Sequence, residues 1–252
     1  DKYGKIRDFY YPNVGQENHI DEQGYKIGVW LEGSLHWVDE SWNFSFHEQN
    51  GTGYIHTSKK AINISLDIKC IVHHEKDIVI QQITVKNHDI KEREIRLFIS
   101  QHFQIMGTDI GNTAYYHPKE HVIVFYKGNR YFIVSGINKE QTFDDYAIGI
   151  AHFKEFEGTY KDAEDGVLSK NTIQHGSVDA TIAFHLLISP KSEQTLHHYI
   201  SCGKKYQDAI DGKEYLLQKT PQKLILETEK YWTNWIKSTS QQEFMHLPKK
   251  IY

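Results

Sequence analysis

The chain has 252 residues, of which 39% are apolar, 25% charged and 13% aromatic, and its formal net charge is −4. This composition is typical of a globular protein and excludes a disordered or fibrous chain. The weakly acidic charge lacks the basic surface that nucleic-acid binding needs, and no apolar run approaches the roughly 20 residues of a membrane helix. We therefore expect neither nucleic acid nor a membrane as a partner.

Alternating and apolar segments predict β-strands from about residue 20 to about residue 200. Hairpins are predicted around Glu32-Gly33 and Gly128-Asn129, because glycine takes a positive φ at low cost. Apolar residues occupy every second position from Ile62 to Val72, which indicates a half-buried strand. Further strands are predicted at 81–85, 95–99, 180–188 and 195–200. At least ten strands with almost no helical periodicity predict a large antiparallel β-sandwich.

Helical periodicity appears only after the strands, from residue 204 onwards. Thr220-Pro221 predicts the start of a second helix, because Thr can cap a helix and Pro suits its first position. An apolar stripe then follows at Leu224, Thr228, Tyr231 and Trp235, widened by Trp232 and Ile236. We expect this face to pack on the sandwich or on a following domain, since burying one such ring stabilises a protein by roughly 2–3 kcal/mol.

Two polar stretches are more specific than a generic sandwich requires. They are Asp8 to His19, with the sequence DFYYPNVGQENH, and Glu157 to Leu168, with the sequence EGTYKDAEDGVL. Three further segments accompany them along the chain, Gly28-Val29-Trp30, Arg130-Tyr131-Phe132 and YWTNW at 231–235. This series resembles the amino-terminal domain of prokaryotic glucoamylases of glycoside hydrolase family 15.

The resemblance implies a mainly β fold, a large antiparallel β-super-sandwich of the mutarotase-like type followed by a C-terminal linker helix. The implied domains are the sandwich at 1–203, with its first strand clipped, a helical linker at 204–240, and the start of an (α/α)₆ barrel at 241–252. Because the chain opens at Asp1 without Met, we expect a fragment of a longer polypeptide. The sequence shows no signal-peptide pattern, which slightly favours a cytoplasmic over a secreted location.

In that family the barrel carries both catalytic carboxylates. The resemblance therefore implies that the parent releases glucose with inversion from the non-reducing ends of α-glucans. It also implies that this chain holds no catalytic residue, metal or cofactor. The implied partners are the barrel of the same polypeptide and an α-glucan or maltooligosaccharide substrate. The preferred glucan is not readable from this chain, because the barrel loops would select it.

The candidate site residues form three groups, which are Gln16, Glu17, Asn18 and His19, then Tyr160, Asp162, Glu164 and Asp165, then Tyr231, Trp232 and Trp235. We expect the first two groups to face the barrel or its cleft, because both loops are polar and longer than a turn needs. The third group is expected to carry the linker contact. For Asn18 and His19, fixing the loop through side-chain-to-backbone hydrogen bonds is favoured over contacting a sugar.

Other interpretations remain open. The acidic loop is favoured as a structural element over a metal site or a pair of catalytic carboxylates, since it lacks the later ligands of a calcium loop. The chain also suits an independent carbohydrate-binding module for α-glucans, because aromatic faces stack on sugars. A third alternative is a stand-alone sandwich hydrolase or epimerase. The two cysteines, Cys70 and Cys202, are expected to be buried free thiols.

Overall fold

The structure is a computed structural model that describes residues 5–21, 24–49, 52–152 and 155–240. Two helices follow the strands, α1 at Tyr206–Lys219 and α2 at Pro221–Ser240. The strands in chain order are β1 Tyr25–Leu31, β2 Ser34–Trp37, β3 Asn43–Gln49, β4 Thr52–Lys59, β5 Ile64–Val72, β6 Ile78–Asn87, β7 Arg93–His102, β8 Asn112–His117, β9 Val122–Lys127, β10 Arg130–Ile137, β11 Asp145–Ile150, β12 Ile173–Gly176, β13 Val178–Ile188 and β14 Glu193–Gly203. The expected barrel start at 241–252 lies outside the described residues.

The strands form two antiparallel sheets. The five-stranded sheet has the order β11-β13-β7-β1-β2, and the nine-stranded sheet has the order β12-β8-β9-β10-β14-β6-β5-β4-β3. Both predicted hairpins are present, and at the first of them Glu32 and Gly33 take φ values of 51° and 82°. Two positive φ values in succession match the twist of the flanking strands. The prediction of a mainly β, antiparallel sandwich followed by a C-terminal helix is confirmed.

The main core lies between the two sheets. Leu97 and Ile99 of β7 and Ile83 and Val85 of β6 belong to one buried cluster, because alternate side chains of each strand point inwards. Both outer faces are covered as well. The two helices pack on the nine-stranded sheet, and the loop containing the buried Ala163 packs on the five-stranded sheet beside Phe98. Most strands are therefore buried on both sides.

A polar chain of hydrogen bonds crosses the inside of the sandwich. Tyr25 donates its hydroxyl to Oε1 of Gln81 at 2.6 Å, and Nδ1 of His198 lies 2.8 Å from the same oxygen. Nε2 of Gln101 lies 3.2 Å from Nε2 of His198. These bonds assign the proton of the neutral imidazole to Nδ1, leaving Nε2 to accept from Gln101. Burial lowers the pKa of His198 to about 3.

Helix α2 is fixed to the nine-stranded sheet by its first half. Leu224 and Ile225 are buried against the sheet. The Glu229 carboxylate, only 5% exposed, lies 2.5 Å from Nζ of Lys69 on β5. None of the helices in the described part of the chain is long and apolar enough to cross a membrane.

The end of β5 departs from the predicted alternation. Ile71 is buried under the helices, whereas Cys70 is exposed and Val72 is 63% exposed. The alternating pattern therefore marks the buried face correctly only up to Ile68, because beyond it the helix-covered side becomes the apolar one. Cys202 is a buried free thiol as expected, but the expectation that Cys70 is buried was wrong.

Candidate functional site

The first candidate loop, 13–19, is held by an ion pair between Glu17 and Arg130, the first residue of β10. Nε and Nη2 of Arg130 each lie 2.8 Å from a Glu17 carboxylate oxygen, so the pair is bidentate. These hydrogen bonds from Arg130 lower the pKa of Glu17. The Arg130 side chain is only 9% exposed, whereas Glu17 is 34% exposed. Gln16 is exposed, and its Oε1 accepts a hydrogen bond from the side-chain amide of Asn13.

Asn18 and His19 are used inside the loop. Oδ1 of Asn18 accepts from the backbone N–H of Phe9 at 2.9 Å and, more weakly, from that of Ile20. His19 is fully buried, with Nε2 donating to the carbonyl of Tyr11 at 2.8 Å and Nδ1 accepting from the backbone N–H of Met106 at 3.0 Å. Burial lowers the pKa of His19. Both side chains make the loop-fixing bonds that were favoured over a sugar contact.

The second candidate loop is a short 3₁₀ turn, Asp162–Asp165, closed by Gly166 at a φ of 86°. Its carboxylates cap backbone groups, with Oδ2 of Asp162 accepting from the N–H of Ser169 at 2.7 Å and Oδ1 of Asp165 accepting from that of Val167 at 2.9 Å. Glu164 is paired with Lys161 at 3.1 Å. This arrangement is that of a capped turn, as the favoured interpretation expected.

Tyr160 anchors the loop to the five-stranded sheet. Nζ of Lys26 lies 3.7 Å from the centre of the Tyr160 ring, and the ring of Trp37 meets it edge-on at 6.0 Å. Burial is the largest cause of the lowered pKa of Lys26. The Tyr160 hydroxyl donates to Glu157 at 3.1 Å. These contacts of Tyr160 are with Lys26, Trp37 and Glu157, and none of them joins this loop to the 13–19 loop.

A cleft of about 660 Å³ opens where the edges of the two sheets meet, between β11 and β12. We call it the seam cleft. It is lined by the end of β11 at 148–150, by residues of the 155–162 loop, and by the side chains of Ser169, Asn171 and Gln174. Phe156 in its wall is 49% exposed. The volume lies in the range of small-molecule binding sites.

Asp179 holds the wall of this cleft from beneath. Its Oδ2 accepts from the backbone N–H of Thr159 at 2.6 Å and from the Thr159 hydroxyl at 2.8 Å. The carboxyl group is 2% exposed, and burial raises its pKa to about 6. A Cβ on Gly158 would lie 2.8 Å from the same oxygen, so glycine permits this close approach. The loop is therefore fixed by a buried carboxyl group and not by the acidic turn alone.

A second cavity of about 400 Å³ shares Ile150 with the seam cleft. Asp109 and Ser177 line it, and Nε2 of the buried His102 lies 2.9 Å from Oδ1 of Asp109 and 3.4 Å from the Ser177 hydroxyl. A Ser-His-Asp triad needs the serine and the carboxylate on different ring nitrogens. Here both approach the same nitrogen, so the arrangement does not fit nucleophilic catalysis.

The third candidate group lies on the second half of α2. Trp232 is 37% exposed and Trp235 is 52% exposed, while Tyr231 stacks on His74 at 4.6 Å and is 43% exposed. The apolar stripe is thus buried at Leu224 and Thr228 and reaches solvent one turn later. In the described part of the chain, no group of three or more His, Cys, Asp or Glu residues has the geometry of a metal site.

Asp179 and His102 are two buried polar residues whose roles are not predictable from the sequence. Asp179 acts through Thr159, 20 residues earlier in the chain, and His102 acts through Asp109 in the loop that follows β7. The available signal is a carboxylate at the start of the apolar strand β13, which is unusual in a strand buried on both sides.

No protein-family model matches the chain. An uncharacterized glycosyl hydrolase of Methanocaldococcus jannaschii is 26% identical over 199 residues, which are 79% of this chain and 31% of that protein. A bacterial glucoamylase solved with acarbose superposes with a TM-score of 0.74 at 14% identity, over 92% of this chain and 34% of its own. A proposed kojibiose phosphorylase from the human microbiome has a TM-score of 0.54 at 11% identity, over 90% of this chain and 30% of its own. The chain spans about a third of the length of these proteins, and it shares the fold of the matching part of the two solved structures.

Proposed function

We propose that this chain is the non-catalytic, amino-terminal sandwich domain of a glucoamylase-like glycoside hydrolase. The observation that carries the proposal is the superposition of 92% of the chain on about a third of a bacterial glucoamylase. The distant similarity to an archaeal glycosyl hydrolase supports the same class of parent protein. The parent would release glucose with inversion from the non-reducing ends of α-glucans, and its two catalytic carboxylates would lie on an (α/α)₆ barrel.

The exposed half of α2 is the proposed contact with that barrel. Three aromatic rings, each between 37% and 52% exposed, follow one another within five residues at Tyr231, Trp232 and Trp235. Covering the exposed fractions would remove roughly 250 Å² from water and contribute about 6 kcal/mol before the cost of association. The Lys69–Glu229 pair holds the helix in place for this contact.

The experiment uses the full-length parent protein. We expect Trp232→Ala to lower its melting temperature and its rate of glucose release from maltooligosaccharides, because the sandwich no longer holds the barrel. The matched control is Leu187→Ala on β13, which removes a residue that is 64% exposed far from the α2 face. Equal melting temperatures and rates for the Trp232 variant and the control would refute the α2 contact.

The two polar loops are proposed to shape the substrate side of the barrel. Gln16 and Glu164 suit the test, because neither residue lines the seam cleft. In the full-length enzyme we expect Gln16→Ala and Glu164→Ala to raise KM for maltooligosaccharides with little change in melting temperature. Unchanged KM values in both variants would refute a role of these loops in the substrate cleft of the barrel. The loops would then serve only the structure of the sandwich.

A further inference from the structure

The seam cleft has an electrostatic character that selects its ligand. Its lining includes the carboxylates of Glu155, Glu157 and Asp162 and the ammonium of Lys161, a sum of three negative charges and one positive charge. A net charge of −2 repels phosphate and carboxylate ligands. The absence of metal-site geometry among the described residues gives no support for a divalent cation as the ligand. The lining therefore disfavours anionic ligands and is compatible with a neutral, polar molecule.

The side chains at the cleft surface match a hydroxyl-rich ligand with an apolar face. Phe156 presents a half-exposed ring, and Asn171 and Gln174 line the same cleft. Aromatic rings pack on the C–H faces of sugars, and amides both donate to and accept from hydroxyl groups. An exposed ring beside paired donor and acceptor groups is the combination that a saccharide needs.

The cleft is also preformed. Asp179 holds Thr159 through two hydrogen bonds, and Asp162 accepts a hydrogen bond from the backbone N–H of Ser169 at 2.7 Å. Lys161 bridges Glu157 and Glu164 along the loop. Because these bonds fix the loop before a ligand arrives, binding loses little free energy to ordering it.

We propose that the seam cleft binds a short stretch of α-glucan, with one sugar face on Phe156 and its hydroxyls on Asn171 and Gln174. The choice of an α-glucan rests on the proposed function, while the choice of a neutral saccharide rests on the cleft itself. The domain would then hold the substrate polymer as well as support the barrel. The site is distinct from the α2 face, because α2 packs against β5 and β6, whereas the cleft lies at the β12 edge of the nine-stranded sheet.

The test is a titration of the 252-residue chain with maltoheptaose, in which binding is measured by calorimetry and by ligand-observed NMR. We expect saturable binding in the millimolar range or tighter, weakened roughly tenfold by Phe156→Ala and retained by Phe156→Tyr. The matched control is Phe46→Ala, which removes another exposed phenylalanine, 56% exposed on the edge strand β3. It is expected to bind maltoheptaose like the unaltered chain.

Three results would overturn the proposal. The first is the absence of maltoheptaose binding at millimolar ligand, and the second is equal weakening by the Phe156 and Phe46 variants. The third is equal affinity for cellohexaose, which would reject an α-glucan as the ligand. If maltoheptaose does not bind, but Trp232→Ala lowers the melting temperature and the rate of the full-length enzyme as expected, only the proposal of sugar binding in the seam cleft is refuted. The reverse pair of results would refute only the accessory-domain function.

Discussion

Removing the Glu229 carboxylate should release α2 from the sheet. Glu229 is 5% exposed and Lys69 is 18% exposed, and their charged atoms are 2.5 Å apart. Breaking a buried pair by removing one partner costs about 3–5 kcal/mol, because the other charge is left uncompensated. Since Lys69 retains some exposure and can reach water, we expect Glu229→Ala to cost about 2–3 kcal/mol.

The measurement is urea denaturation of the chain, followed by circular dichroism and tryptophan fluorescence. The double variant Lys69→Met/Glu229→Leu should recover most of the lost free energy, because replacing both charges by apolar groups leaves neither unpaired. Lys223→Ala is the control, as its ion pair to Glu227 is long and exposed. A cost below about 0.5 kcal/mol for Glu229→Ala would refute the anchoring role, since surface substitutions fall within that range.

Three further changes test other parts of the fold. Burial lowers the pKa of His198 to about 3, so the folded chain keeps this imidazole neutral while the unfolded chain protonates it below about pH 6.5. The free energy of unfolding is therefore unaffected by this group above about pH 6.5 and decreases as the pH falls below that value. Urea denaturation should show a loss of about 1–2 kcal/mol near pH 5.5, and an unaltered pH slope in His198→Gln would contradict this. Gly166→Ala should cost about 2 kcal/mol or more in thermal unfolding, because its φ is 86° and a Cβ would meet Trp30 at 2.6 Å. Glu17→Gln should cost about 1–2 kcal/mol by breaking the bidentate pair with Arg130, and wild-type stability would show that water replaces that pair.

Local patterns were sufficient to predict most of the sandwich. The Glu32-Gly33 turn and the hairpin at Gly128 follow from residues adjacent in sequence, and so does the start of α2 at Pro221. The register between distant strands is not encoded in this way. The pairing of Ile182 with Ile99, for example, joins β13 to β7, two strands that are far apart in the chain.

The limits of prediction are clearest where a strand is buried on both faces. Alternation from Ile62 to Val72 predicts one apolar face, but the structure buries Ile71 under the helices and exposes Val72. The burial of His198 in a chain of hydrogen bonds could not be predicted from the sequence either, because its partners Gln81 and Gln101 come from two other strands, β6 and β7. The hydrogen-bond partners of such buried polar groups can be identified only once the arrangement of the strands is known.

The density of polar residues was sufficient to predict the candidate loops. It was not sufficient to predict which residues those loops contact. The capping bonds of Asp162 and Asp165 follow from ordinary turn chemistry. The support from Asp179 does not, because Thr159 lies 20 residues away. The seam cleft was missed for the same reason, since its walls belong to the edges of two different sheets.

The most direct test of the accessory-domain function is the mass of the natural polypeptide that contains this stretch, measured by immunoblot and intact-protein mass spectrometry. The proposal predicts a species roughly three times the 29.5 kDa of this chain, continuing past Tyr252 into a barrel-forming sequence. A natural product of about 29.5 kDa that ends near Tyr252 would contradict the proposal. The chain would then act without a barrel, and the seam cleft alone would connect it with carbohydrates.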